Sequence, residues 1–157
     1  MRRILIASAT FIGAMIVILT VPFSARASLG GSAVSVIADQ AHMQGKLMRT
    51  AKSAYTVQEI QAPTGVVVRE YVSQSGMVFA VAWQGPTQPD LRQVLGTYFT
   101  TFTQAVQAQR ATRVARGPLV IKQPGLVVEI GGHMRWFVGR AYVPGMVPVG
   151  VALEEIR

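Results

Sequence analysis

From Ala54 onward the apolar residues fall on alternate positions, and that alternation limits the folds open to the chain. "AYTVQEI", "VVVREYV" and "MVFAVAW" are rich in β-branched and aromatic residues. Period-two runs of this kind read as strands with one face buried. "APTG" separates the first two runs and "SQSG" the second two. An early proline and a late glycine suit tight reversals. The pattern predicts an antiparallel three-stranded meander.

"QGPTQPD" ends this unit, with Thr87 or Asp90 as helix cap and Pro89 suited to the first turn. Leu91, Val94, Leu95, Tyr98, Phe99, Phe102, Ala105 and Val106 then form one apolar stripe, which predicts a long amphipathic helix from about Pro89 to Val114. Gly117-Pro118 stops it. A second antiparallel three-stranded unit follows: Leu119–Gln123, a turn at Pro124-Gly125, Leu126–Ile130, a turn at Gly131-Gly132, and His133–Val143. "PGMVPVGVALEEIR" carries two prolines and reads as a surface wrap. Ahead of the strands, Val34, Ile37, Ala38 and Ala41 recur at helical spacing. They predict a short N-terminal helix over Ser32–Gln44, capped by Ser32, stopped by Gly45 and buried on that stripe. Lys46 to Ser53 is basic and without a clear period, a linker or the beginning of a strand. The fold class is α+β, and the pattern leaves one sheet or two open.

Turn lengths set which residues face one another. Two-residue loops would pair Ala62 with Gly65 and Ser73 with Gly76. Glu59 and Glu70 then share one face with Val57, Val68 and Phe79, at diagonal positions roughly 7–8 Å apart at the backbone. Catalytic carboxylates of glycosidases lie about 5–10 Å apart, so the spacing admits a hydrolase. The plainer expectation is that Glu70 pairs with an arginine such as Arg135 or Arg140. His133, opposite Ile130 across a Gly-Gly turn, would need an orienting carboxylate and a nucleophile to act as a base. It reads instead as a turn residue.

The first 27 residues read as a cleavable leader. Arg2 and Arg3 precede an uncharged apolar run from Ile4 to Val21, Pro22 breaks it, and Ala25-Arg26-Ala27 is an A-x-A signal with cleavage between Ala27 and Ser28. The expected product is a single exported α+β domain over residues 28–157, sent to the periplasm or the extracellular space by the general secretory route. An uncleaved leader would give a form tethered to the inner membrane, and only through that leader would the chain meet a membrane.

Losing Arg2, Arg3 and Arg26 with the leader takes the net charge from +8 to +5. Such a surface favours anionic envelope components through a weak, salt-sensitive field. Export and the lack of a dense basic stripe with aromatics argue against nucleic acid. There is no cysteine, so thiol catalysis, redox exchange and Cys-type zinc sites are excluded, and the core must carry the stability that disulfides supply in many exported domains. His42 and His133 are the only histidines. No acidic cluster or His-x-x-x-His joins them, so no metal and no cofactor is expected. Arg110, Arg113 and Arg116, in or just past the last helical turn, complement its dipole. With Arg135 and Arg140 they are the candidate anion-binding residues.

The segments "VREYVS", "VFAVAWQGP", "PDLRQ" and "GGHMR" resemble a family of small exported bacterial proteins catalogued as domain of unknown function 2844, and the similarity runs through nearly all of the chain past the leader. The resemblance implies export in a Gram-negative bacterium and supplies no reaction, ligand or catalytic residue. The expected function is therefore a non-enzymatic binding or interaction module, whose partner is an anionic envelope component or another exported protein. The competing expectation is a small envelope-glycan hydrolase acting through Glu59 and Glu70.

Overall fold

A computed structural model describes residues 29–110 and 117–157. The leader and its cleavage site, and Arg113 and Arg116, lie outside the described residues. Seven antiparallel strands form one sheet: β1 Lys46–Ala51, β2 Tyr55–Gln61, β3 Val67–Ser73, β4 Val78–Gly85, β5 Leu119–Gln123, β6 Leu126–His133 and β7 Trp136–Tyr142, in the order β1-β2-β3-β4-β7-β6-β5. The two expected three-stranded units are thus halves of a single sheet, joined where Val81 pairs with Ala141. The basic segment from Lys46 is its edge strand.

The long helical stretch connects β4 to the far edge at β5. Asp90 caps it, its Oδ1 accepting from Arg92 N at 2.9 Å. It comprises α2 Leu91–Leu95, a 3-10 turn at Gly96–Tyr98 and α3 Phe99–Arg110. Gly96, at φ +52°, interrupts the regular helix. The predicted stripe faces the sheet: Val94, Leu95 and Phe102 are buried in one core with Ile60, Val68, Val81, Trp83, Ile121 and Val128.

The short helix α1, Ser35–Met43, packs on the same side. Its expected buried stripe is corrected. Val34 is 71% exposed and Ile37 55% exposed, and Ala38 and Ala41 are exposed too. The buried residues are Ser35, Val36 and Asp39. Tertiary hydrogen bonding, not hydropathy, sets the rotation of this helix. Its ends also differ from expectation. Ser32 gives no side-chain cap; its carbonyl accepts from Ser35 N and Ser35 Oγ. Gln44, at φ +49°, takes the left-handed closing position expected of Gly45.

The opposite face of the sheet is covered by the C-terminal segment. Met146, Val147, Val151, Leu153 and Ile156 lie over Tyr55, Tyr71, Phe79, Val127 and Tyr142, so the expected surface wrap is a second core layer.

Three turns differ from the expected registers. Ala62 N bonds Val66 O at 2.8 Å, leaving three loop residues with Gly65 at φ +83°. Ser73 N bonds Met77 O at 2.9 Å around Gln74-Ser75-Gly76. A type I turn followed by a left-handed glycine needs this extra residue. A bulge between Tyr71 and Val72 then sets Phe79 against the C-terminal segment and leaves Glu70 opposite Val81. The third reversal is not at Gly131-Gly132. Those glycines are inside β6, paired with Val138 and Phe137, and the turn is Met134-Arg135 between His133 and Trp136. A Cβ at Gly132 would lie 2.3 Å from Trp136 O, so glycine serves the close crossing of two backbones.

Candidate functional site

The slip of one residue in the first turn separates the two candidate carboxylates. Glu59 faces Arg69 and Gln58 faces Glu70, so Glu59 and Glu70 point to opposite sides of the sheet. They do not share a site. Two cross-strand rows show what each does instead.

On the C-terminal side the row runs Met48, Glu59, Arg69, Ala82, Arg140, Glu129, Val120. Glu59 Oε2 takes Arg69 Nε at 2.7 Å and Glu129 Oε2 takes Arg140 Nε at 2.9 Å. The two arginines flank Ala82, the small residue between them, and both reach the C-terminal segment. Arg69 Nη1 donates to Arg157 O at 3.1 Å, and Arg140 Nη1 to Leu153 O at 2.7 Å. Tyr71 Oη donates to Glu155 O at 3.1 Å and accepts from Arg157 N at 2.9 Å. Tyr55 Oη donates to Glu155 Oε2 at 2.6 Å. Burial and that carboxylate push the Tyr55 phenol up to about 12. Gln61 and Arg69 bond Glu59 and hold its carboxyl below the usual range against the opposing effect of burial. Arg140, a candidate anion ligand, is engaged with Glu129 and the chain end. A cleft of about 590 Å³ beside this network is lined by Lys52, Tyr55, Glu59, Arg69 and Glu155 among others, and within it Tyr55 is bonded to Glu155 and Arg69 to Glu59.

On the helix side the row runs Arg49, Gln58, Glu70, Val81, Ala141, Val128, Ile121, polar at one end and apolar at the other. Glu70 sits at the change, under α1, where it meets Asp39. Each residue is 1% exposed. Burial, followed by the charge and hydrogen bond of Asp39, drives the Glu70 carboxyl well above its ordinary range. Burial also lifts Asp39 to about 6, although a hydrogen bond from Gln93 opposes the rise. Asp39 Oδ2 and Glu70 Oε2 are buried without a hydrogen-bond donor. One proton held between the two carboxyls supplies that donor, as expected for like groups that cannot both ionise in a dry site. Sequence reasoning missed Asp39 because hydropathy placed it on the exposed side of its helix. No reactant reaches this pair from solvent.

The remaining candidates lie elsewhere. Arg110 ends α3 and is exposed. His133 and Arg135 are both at the β6–β7 reversal, exposed, far along the strands from Glu129 and without a carboxylate partner. Among the described residues, no three of His, Asp and Glu gather as a metal site requires.

That reversal brings exposed polar and apolar side chains together. Beyond Ile130 and Gly139 the hairpin extends past β5, whose pairing ends at Leu119 with Ile130. Met134 is 94% and Trp136 45% exposed, and Phe137 and Val138 are exposed as well. Met134 and Arg135, at φ +36° and +65°, hold a left-handed conformation that non-glycine residues adopt at a cost. The conformation sets both side chains at the apex. Trp136 and Val138 occupy one face of the hairpin and Phe137 the other. At its base a groove of about 390 Å³ is lined by Val120, Ile130, Gly131, Val138, Arg140 and Ile156, among others.

No curated protein and no solved structure matches the chain. Residues 25–156 match the family described as Protein of unknown function (DUF2844), and the chain belongs to that family.

Proposed function

We propose that the chain is an exported, non-enzymatic binding module whose binding element is the β6–β7 hairpin. The observation that carries this reading is the contrast between committed polar groups and an uncommitted apolar tip. The chain has seven acidic residues. Glu59 and Glu129 are in ion pairs, Glu155 accepts from Tyr55, Asp90 caps a helix, and Asp39 and Glu70 are buried against each other. Only Glu154 is outside such an arrangement, and one exposed carboxylate is a poor basis for acid–base chemistry. The glycan-hydrolase alternative needs Glu59 and Glu70 in one hollow, and the sheet lies between them. By contrast, Met134, Trp136, Phe137 and Val138 are exposed to 94%, 45%, 38% and 40%, and an exposed apolar patch marks an interaction surface.

Export is supported by the order of the leader's parts and by the A-x-A signal. The direct test has two parts. The mass of the N-terminus of protein recovered from the extracytoplasmic fraction should correspond to a chain starting at Ser28; an intact Met1 terminus there favours the tethered form. Co-purification from that fraction should recover a component with the wild type that is lost with Met134→Ser/Trp136→Ser. Equal recovery with both would remove the hairpin from the binding role.

A further inference from the structure

We infer that the β6–β7 hairpin docks on an anionic lipid surface, with Met134, Trp136 and Phe137 entering the interfacial layer and Arg135 meeting lipid phosphate. The inference deepens the reading of the hairpin as a binding element and rests on it.

The shape of the tip selects the occupant. A flat protein partner covers one face of a hairpin. Here the two faces are both apolar: Trp136 and Val138 lie on one, Phe137 on the other, and Met134 at the apex between them. Phe137 and Val138 pair with Gly85 and Gln84 of β4, so the part that projects is the turn from His133 to Trp136, and a tip with apolar side chains on both faces and at its apex suits the headgroup–acyl boundary of a bilayer. The residue types agree. Tryptophan is enriched at that boundary, where its indole has an apolar body and a polar edge. Arginine extends its stem along apolar matter while its guanidinium remains at the phosphates.

Charge complementarity fixes the sign of the surface. From Gly131 to Val138 there is no acidic residue, and Arg135 is accompanied by His133. The nearest acid along β6, Glu129, is held by Arg140. Arg110 is exposed on α3, whose Gln109 bonds Val120 O at 3.2 Å at the edge strand beside the hairpin base. The field at the tip is therefore positive, on a chain whose net charge without the leader's Arg2, Arg3 and Arg26 is +5. Clusters of this kind bind anionic membranes through summed apolar burial and salt-sensitive attraction.

The turn also carries a mark of this use. A two-residue reversal with positive φ at both positions is most stable as Asn-Gly or Gly-Gly. The chain has two glycines within reach, yet places Met134 and Arg135 in the turn and the glycines one step back. Backbone strain is accepted where it presents a long apolar and a long cationic side chain at the apex.

The test uses protein expressed at full length and purified from the extracytoplasmic fraction, mixed with vesicles of phosphatidylglycerol and phosphatidylethanolamine or of phosphatidylcholine alone. Trp83 is buried, so a blue shift in emission on adding vesicles reports Trp136. The expected result is a blue shift and sedimentation with the anionic vesicles, weakened by salt and small with phosphatidylcholine. Met134→Ser/Trp136→Ser should lower partitioning about tenfold or more. Arg135→Gly should bind anionic vesicles less well while folding at least as stably, which separates the charge from any structural role. Binding that is unchanged in the double variant, or absent in the wild type, overturns the lipid assignment. If vesicles do not bind but a co-purified protein is lost with the same substitutions, the lipid is wrong and the hairpin's binding role stands. If neither changes, both fall.

Discussion

Asp39 of α1 and Glu70 of β3 meet in the interior as a hydrogen-bonded pair of carboxyls, each with an oxygen that no other group satisfies. Gln93 of α2 donates to Asp39, His42 lies near it on the same helix, and Gln58, bonded to Arg49 at 3.0 Å, pairs with Glu70 across the sheet. Among the described residues neither carboxyl is in an ion pair. The proton it shares is therefore part of what fixes α1 to the sheet, a helix with Val36 as its only fully buried apolar side chain.

Stability should fall as pH rises. Both carboxyls hold protons more tightly folded than unfolded, so the folded state carries the excess proton. The contribution is complete below the unfolded carboxylate range near pH 4 and is lost as pH rises through it. For Asp39 the loss runs to about 6, and for Glu70 it extends higher. Glu59 acts in the opposite sense: its lowered value gives a contribution present above its unfolded range and lost in acid. Thermal melts should thus show a maximum on the mildly acidic side and a lower midpoint at pH 8. A midpoint still rising between pH 5 and 8 would refute the shared proton.

Glu70→Gln should remove most of that slope. The amide donates a hydrogen bond to Asp39 without a proton to lose, so at pH 8 the variant should equal or exceed wild-type stability, by about 1 kcal/mol. Urea titrations at pH 5 and pH 8 measure both the slope and the offset.

Tyr71→Phe should loosen the C-terminal layer. The hydroxyl bonds Glu155 O, Arg157 O and Arg157 N, and losing these bonds should cost about 1 kcal/mol, the net worth of an ordinary hydrogen bond. Carboxypeptidase should trim the variant faster than the wild type, and amide exchange at Ile156 and Arg157 should rise.

Gly139→Ala should disturb Trp83. A Cβ there would lie 2.3 Å from the indole ring, and a packed core offers little room for the ring to move. The expected cost is about 1–3 kcal/mol, with a change in the near-ultraviolet signal of Trp83 that leaves Trp136 unaffected.

Periodicity revealed β2, β3, β4, β5 and the helix beginning at Leu91, because each buries one face and alternation or a stripe follows directly from that. Register was less legible. "APTG" and "SQSG" satisfy both a two-residue loop and a three-residue loop closed by a left-handed glycine, and one residue of difference moved Glu59 to the face opposite Glu70. The pair Gly131-Gly132 has the composition of a turn, but its small size serves the approach of the Trp136 backbone. The rotation of α1 was hidden for a different reason. Its buried side is held by Ser35 and Asp39, polar residues whose burial depends on partners distant in sequence. Whether the strands formed one sheet or two rested on the β4–β7 pairing, to which no local pattern points.

The most direct test of the hairpin as the binding element is a photo-crosslinking amino acid placed at Met134 in cells, with a second at Val149, which is fully exposed and has no assigned role. Adducts at position 134, with lipid as the main product, and none at position 149 are the predicted result. Equal labelling at the two positions, or none at 134, would contradict the account.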